Sequence, residues 1–337
     1  MRLFAQDLTT DTLQHIAARG LSEAGGPKPL LLRVLVDLFV RRPTHSDEEI
    51  QHFAEIAHAI LPCATRAEID HAAERLCTYP AAPGELMDLL ALRAPHSAVF
   101  LFEKCRRLST PILQQAALSG TVPIACAIAK RDDLDIVTRD LLAARPEREI
   151  ALALIENRSA PIPPHDLKNL VARACDDAEM AQALCHRLPH RPEVLSLFRH
   201  AKRSDRLIMI ATARKMMPLP PAQISLDAAC LSASAQNGLE DFAAALAAQI
   251  KWPQAETQKL VQERGGETLM IALRALDAQA SLIETCLRAL PLNLTEGQIA
   301  WRRGLACSVD QGTAQNILQT MWQGAHKPAQ ETDRQSA

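Results

Sequence analysis

A repeat of 26 residues in the middle of the chain constrains the fold more than any other feature. The segments "AVFLFEKCRRL", "IACAIAKRDDL" and "IALALIENRSA" begin at Ala98, Ile124 and Ile150, and "MAQALCHRL" continues the series from Met180 after a four-residue insertion. Apolar residues recur at helical spacing in each segment. A short helical hairpin can bury its apolar face only against neighbouring hairpins. The repeat therefore predicts stacked helical hairpins.

The composition favours an all-α fold. Hydrophobic residues make up 48% of the 337 residues and aromatic residues only 3%. Alanine and leucine carry most of the apolar content, which suits closely packed helices better than strands. Ser46 with Glu49, and Thr65 with Glu68, have the spacing of a helix capping box. We predict about twenty short helices, arranged as an α-solenoid of HEAT-like repeats, an α-α superhelix.

Breaks in the pattern suggest a division of the chain. A second periodicity, of 28 residues, aligns Gly238 with Gly266, and the proline-rich "PLPPAQIS" precedes it. The polar end of the chain has the composition of a disordered segment. We predict an N-terminal helical cap at 1–95, HEAT-like repeats at 96–217, further helical repeats at 218–323 and a disordered tail at 324–337.

Several of these segments also resemble a known family. The stretch "LLLRVLVDLFVRRPTHSDEEIQHFAEIA", with the later "IAKRDDL" and "IENRSAPI", is similar to a bacterial family of unknown function that has HEAT-like helical repeats. The likeness covers roughly residues 28 to 300. It implies the repeat architecture, and it implies no reaction and no catalytic residue.

Cysteine usage and hydropathy predict a cytoplasmic protein. The nine cysteines are scattered singly, without a Cys-x-x-Cys pair, which is typical of reduced, core-filling thiols. The most apolar run, "PLLLRVLVDLFVRR", is interrupted by Arg33 and Asp37 and is too short to span a bilayer. The N-terminus has no apolar segment typical of a secretory signal. We expect no membrane association.

The motif Glu-x-x-His raises the question of a metal site. It occurs from Glu49 to His52, from Glu55 to His58 and from Glu68 to His71, and ferritin-like bundles use this spacing to hold two metal ions. Helical geometry places most of these side chains away from the apolar face. They are therefore interpreted as capping or solvated residues, and we predict neither a metal nor a cofactor.

Two other groups of residues could in principle bind a ligand. Cys175, Cys185, His186 and His190 are metal-ligand types without a recognised zinc spacing, so core filling is the favoured interpretation. The sequence "RGGE" at 264–267 could form an anion-binding nest before a helix, but an ordinary turn between helices is the favoured interpretation. No Walker A loop and no nucleophile elbow is present in the sequence. We therefore predict a non-enzymatic protein.

Basic residues outnumber acidic ones in the repeats. Residues 96–217 contain 19 basic and 14 acidic residues, whereas the whole chain has a net charge of −2. The first helix of each repeat ends with basic residues in nearly the same register. Stacked repeats would align these residues into a basic edge, which we predict to bind a partner. The residues of this edge are Arg106, Arg107, Lys130, Arg131, Arg158 and Arg187. The alternative is that they only stabilise helix C-termini through the helix dipole.

Three functions are compatible with these features. The leading hypothesis is a protein–protein interaction scaffold or adaptor whose partner presents an acidic or mixed-charge surface. The second is nucleic-acid binding, which the net acidity and the few aromatic residues disfavour. The third is a sensor of an anionic small molecule or nucleotide held along the central repeats. The oligomeric state stays open.

Overall fold

The computed structural model describes residues 31–94, 96–217, 226–263 and 265–325. These residues form helices connected by short turns, and no strand occurs among them. The prediction of an all-α fold is therefore confirmed. The chain divides into two compact units, residues 1–161 and 162–337. The proline-rich segment at 218–225 lies outside the described residues, as does most of the predicted tail.

The first unit contains nine α-helices among its described residues, with one short 3-10 helix at Leu61–Cys63. The α-helices are α1 (Leu31–Arg41), α2 (Asp47–Ile60), α3 (Arg66–Cys77), α4 (Gly84–Arg93), α5 (Ala98–Lys104), α6 (Thr110–Ser119), α7 (Val122–Ala129), α8 (Ile136–Ala143) and α9 (Arg148–Glu156).

The second unit continues with α-helices and a nine-residue 3-10 helix at Pro192–His200. Its α-helices are α10 (Pro164–Ala174), α11 (Ala178–Arg187), α12 (Arg203–Arg214), α13 (Ala228–Asn237), α14 (Leu239–Ile250), α15 (Gln254–Val261), α16 (Glu267–Ala275), α17 (Ala280–Ala289), α18 (Glu296–Ser308) and α19 (Gln311–Ala325).

Helix starts in the first unit follow the capping signals of the sequence. The Ser46 hydroxyl accepts from the Glu49 N–H, and the Glu49 carboxylate accepts from the Ser46 N–H. Thr65 and Glu68 form the same reciprocal pair at the start of α3. Each box satisfies N–H groups that have no partner within the helix. Two of the three Glu-x-x-His glutamates are therefore capping residues, as predicted.

In the first unit, alternate helices pack against one another in sequence order. Helix α1 packs on α3, α3 on α5, α5 on α7 and α7 on α9, while α6 packs on α8. The repeat position shared by Phe102, Ile128 and Leu154 is buried in every copy. The 26-residue spacing therefore corresponds to successive hairpins that bury the same apolar column.

The second unit is not a simple succession of neighbouring hairpins. Its last helix, α19, packs on the 3-10 helix, on α12 and on α16. The Asn316 side chain donates to the main-chain oxygen of Ala213, 103 residues earlier. Helix α16 is buried on nearly all sides, which is typical of a central core helix. This chain return has no counterpart in the repeat pattern.

A set of polar contacts joins two helices of the first unit. Arg33 and Asp37 have the spacing of an ion pair within α1. The Asp37 carboxylate lies 2.9 Å from Nε2 of His71 and 3.4 Å from Nε of Arg75. These contacts join α1 to α3. Helical periodicity describes one helix at a time, so it does not predict a contact between two helices.

Candidate functional site

The predicted basic edge divides into buried and exposed members. Five of its six residues lie in the first unit, after the ends of α5, α7 and α9. Arg187 lies at the end of α11 in the second unit and is half-buried. Arg131 is 4% exposed. The exposed members are Arg106, Arg107, Lys130 and Arg158.

Arg131 is a link between two successive repeats. Its guanidinium donates to the main-chain oxygens of Phe102 and Cys105, at 3.0 and 2.8 Å. These carbonyls lie at the C-terminal end of α5, where helical carbonyls have no partner within the helix. The Asp133 carboxylate binds the other side of the guanidinium with two contacts of 2.8 Å. Arg131 is thus occupied by the chain itself and is not presented to a partner.

The same arrangement recurs along the first unit. Arg145 donates to the main-chain oxygens of Ala117 and Gly120, at 3.2 and 2.8 Å, at the end of α6. The Asn157 amide donates to those of Ala129 and Arg131, both at 2.7 Å, at the end of α7. Each donor lies 25 to 29 residues after its acceptors. Each repeat therefore caps a helix C-terminus of the preceding repeat.

Carboxylates make the complementary link at helix N-termini. Oδ1 of Asp70, on α3, accepts from the N–H groups of His96 and Ser97 at the start of α5. Oδ1 of Asp88, on α4, accepts from the Ser109 N–H before α6. Negative charge at a helix N-terminus is stabilised by the helix dipole. These capping carboxylates were missed in the sequence because their acceptor role depends on a neighbouring hairpin.

The exposed members of the edge are partly neutralised. The guanidinium of Arg106 lies 2.6 Å from the Asp132 carboxylate, 26 residues later. Arg107 donates to the main-chain oxygen of Pro80. Both side chains in the Arg106–Asp132 pair are largely exposed, so the pair adds little stability. The edge of the first unit therefore carries mixed charge, with basic and acidic side chains side by side.

A pair of thiols lies between α3 and α5. The Cys77 thiol hydrogen-bonds to Cys105, and both residues are buried. This hydrogen bond, the N–H groups of Arg107 and Leu108 and the charge of Arg131 lower the pKa of Cys105 to about 7. The same pairing, together with burial, raises the pKa of Cys77. Their 28-residue separation, close to the repeat length, is the sequence signal that could have suggested the pair.

The second unit contains a buried cluster of four charged residues. The Glu267 carboxylate, at the start of α16, lies 2.7 Å from Arg206 and 3.0 Å from Arg302. Arg206 also contacts Glu263. Burial raises the pKa of Glu263 and lowers that of Arg302. The Glu267 carboxylate also lies close to Gly265 of the "RGGE" turn; Arg264 of that sequence lies outside the described residues.

A narrow cleft in the second unit holds a half-buried imidazole. Cys175, Arg199, His200, Trp252 and Glu256 are among its lining residues. Nε of Arg199 donates to Nε2 of His200 at 2.8 Å. Burial, with the charges of Arg199 and Arg206, lowers the pKa of His200 to about 4. The imidazole is therefore neutral at physiological pH and acts as a hydrogen-bond acceptor.

The cysteines and histidines considered for zinc do not converge among the described residues. Cys185 is buried, and its thiol donates to the main-chain oxygen of Leu197. Sγ of Cys175 lies 3.4 Å from the main-chain oxygen of Val171 and 3.5 Å from that of Gly324. Nδ1 of His186 lies 3.5 Å from the Asp205 carboxylate. These contacts agree with the core-filling interpretation.

Comparison with known proteins adds one match. The sequence model of a family described as an uncharacterised protein conserved in bacteria (DUF2336) matches residues 98–225. This span begins at the first residue of α5 and contains all three 26-residue segments. No curated protein and no solved structure matches the chain. Within the described residues, no helix combines the length and apolar character needed to cross a membrane.

Proposed function

We propose that the chain is a non-enzymatic interaction scaffold, in which the HEAT-like hairpins of the first unit form a solenoid that presents an extended surface to a partner protein. The observation that carries this proposal is the set of links between successive repeats. Arg131, Arg145 and Asn157 each bind main-chain oxygens of the preceding repeat. Such nearest-neighbour links hold a linear array in register.

The mixed charge of the edge favours a protein partner over nucleic acid. Tracking a phosphate backbone requires many unneutralised cations. Here Asp132 lies against Arg106 and Asp133 against Arg131. Alternating charge instead complements a protein surface that presents both signs, and such complementarity contributes mainly to specificity.

Affinity capture with the tagged full chain tests the proposal. The edge variant combines Arg106→Glu, Lys130→Glu and Arg158→Glu and leaves the buried Arg131 intact. The control carries the same charge change at three exposed arginines of the same unit, through the substitutions Arg41→Glu, Arg66→Glu and Arg93→Glu.

We expect wild type and the control to recover the same partner and the edge variant to lose it. Equal recovery by all three proteins would place binding elsewhere. Salt-sensitive binding of duplex DNA by wild type, lost only in the edge variant, would replace the scaffold with the nucleic-acid alternative.

A further inference from the structure

We propose that the seam between α12 and α18 in the second unit docks an acidic, amphipathic helical segment of a partner protein. This inference rests on the proposed scaffold function and names a surface and a partner class for it. It is carried by four observations on these two helices: exposed apolar side chains, cations at both ends, an open position beside them, and the placement of the acidic groups.

Helix α12 presents apolar side chains to solvent. Leu207 is 45% and Ile208 46% exposed. Ala211, one turn after Leu207, is also exposed. Residues four apart lie on one face of a helix, so Leu207 and Ala211 form a continuous apolar strip.

Two contacts align α12 with α18 at both ends of this strip. The Arg203 guanidinium lies 3.5 Å from the ring centroid of Trp301. The Arg214 guanidinium donates to the main-chain oxygen of Ser308 at 2.6 Å. By helical geometry, Arg203 and Arg214 share one side of α12 with the strip. The strip is therefore bounded by a guanidinium at each end, next to α18.

The α18 side of the seam contains an open position. Gly304 lies between Trp301 and Ser308 on α18, and a Cβ placed there would meet no atom within 4 Å. A glycine inside a helix lowers helix stability by about 1 kcal/mol relative to alanine. In the proposal, a side chain of the partner enters the space between this position and the apolar strip, which is called the groove below.

The charges around the groove select an acidic partner. Lys202 and Lys215 flank α12 and are exposed. The single carboxylate of α12, Asp205, is buried. Asp310 lies near Arg214, but its carboxylate accepts from the Thr313 N–H at 2.8 Å and so caps α19. The exposed surface of α12 is therefore apolar at its centre and basic at its ends.

Helix geometry gives the spacing that such a partner needs. Arg203 and Arg214 are eleven residues apart in the chain, which corresponds to about 16 Å along a helix. A helical partner segment with two carboxylates at this spacing, and leucine-type side chains between them, would match both the cations and the strip. Recognition of an apolar helix face in a groove is a common mode of peptide binding.

The test uses the full chain and a synthetic helical peptide with glutamates eleven positions apart and leucines on the same face. Binding is measured by fluorescence polarisation against a peptide of the same composition in scrambled order. Two variants differ only in charge at the open position, Gly304→Glu and Gly304→Lys. Leu207→Asp tests the strip, and Cys307→Leu on the outer flank of α18 is the matched control.

We expect Gly304→Glu and Leu207→Asp each to weaken binding about tenfold, because they place negative charge beside an acidic segment. Gly304→Lys and Cys307→Leu should bind as tightly as wild type or tighter. Equal affinity of wild type and the Gly304→Glu variant, or equal binding of the scrambled peptide, would overturn the proposal. Circular dichroism confirms that the variants retain the wild-type helix content.

Binding of a different kind of molecule in the groove would give different results in these experiments. Dimerisation of the full chain that Gly304→Glu abolishes would assign the groove to a second copy. Binding to vesicles of phosphatidylserine and phosphatidylcholine that depends on Leu207 would assign it to a membrane surface. Either result overturns the proposal. If the captured partner of the scaffold is lost in the edge variant but retained by Gly304→Glu, the scaffold function stands and the groove proposal fails.

Discussion

The guanidinium of Arg131 donates a hydrogen bond of 2.8 Å to the main-chain oxygen of Cys105, which lies 26 positions earlier in the chain. One repeat length separates the two residues, so this bond joins equivalent parts of adjacent hairpins. It also explains why a cation that looks like an exposed edge residue in the sequence is buried in the fold.

Replacing Arg131 should destabilise the first unit. Arg131→Met leaves the buried oxygens of Phe102 and Cys105 without their donor, and each unsatisfied group costs about 1–3 kcal/mol. We expect a loss of about 3 kcal/mol in the free energy of unfolding, measured by urea denaturation followed by far-ultraviolet circular dichroism. The control Arg106→Met, in an exposed pair, should change it by less than about 0.5 kcal/mol. Equal losses of stability in the two variants would show that the contacts of Arg131 do not stabilise the first unit.

Removing one charge of the buried cluster should destabilise the second unit. Glu267→Gln leaves Arg206 and Arg302 with one carboxylate fewer, and breaking a buried ion pair typically costs about 3–5 kcal/mol. All three tryptophans lie in the second unit, so their fluorescence during denaturation reports on this unit. Glu296→Gln, at an exposed ion pair with Arg288, is the control and should cost less than about 1 kcal/mol. A Glu267→Gln protein as stable as the control would contradict the prediction.

The half-buried imidazole of His200 predicts a pH dependence of stability with a defined sign. The pKa of His200 is lowered to about 4 from an ordinary value of 6.5. The unfolded chain therefore binds a proton first as the pH falls, and stability present above pH 6.5 is lost between pH 6.5 and about 4. Relative to His200→Gln, wild type should lose about 1 kcal/mol at a pH of about 5, because solvent screening of the partly exposed ring reduces the effect of the pKa shift.

Tryptophan fluorescence during denaturation at a series of pH values provides the measurement for His200. Burial raises the pKa of Glu263, which makes stability change with pH in the opposite direction. This effect is the same in both proteins and cancels in the difference between their free energies of unfolding. His58→Gln, at an exposed position of the first unit, serves as the matched control. Parallel pH profiles for wild type and His200→Gln would rule out this role for the imidazole.

The thiol pair predicts a titration near neutral pH. Cys105 has a pKa lowered to about 7, first by the hydrogen bond from Cys77. We expect the thiolate absorbance of wild type, minus that of Cys105→Ala, to rise with a midpoint near this value. In Cys77→Ala the midpoint should move up towards the ordinary thiol range of about 8.5. Cys63→Ala, at an exposed thiol, should leave the midpoint unchanged. An unchanged midpoint in Cys77→Ala would show that the hydrogen bond from Cys77 does not lower the pKa of Cys105.

Local signals led to correct predictions where the cause was local. The capping boxes at Ser46 and Thr65 formed as predicted because their partners lie three residues away. The buried column of Phe102, Ile128 and Leu154 followed from periodicity alone. The basic edge was harder to predict, because the sequence does not show whether a cation faces solvent or a carbonyl of the preceding hairpin. Arg106 and Arg131 lie within one position of the same register and differ in this respect.

Helicity and the 26-residue repeat were already fixed by the order of the amino acids, because helix propensity, capping and apolar periodicity act over a few residues. The choice of which polar groups meet was made by the folded chain as a whole. Arg131 reaches back one repeat to Cys105, Glu267 lies between Arg206 and Arg302, and α19 returns to the 3-10 helix. Buried polar groups must find partners, and in this protein those partners are supplied by segments far away in the chain.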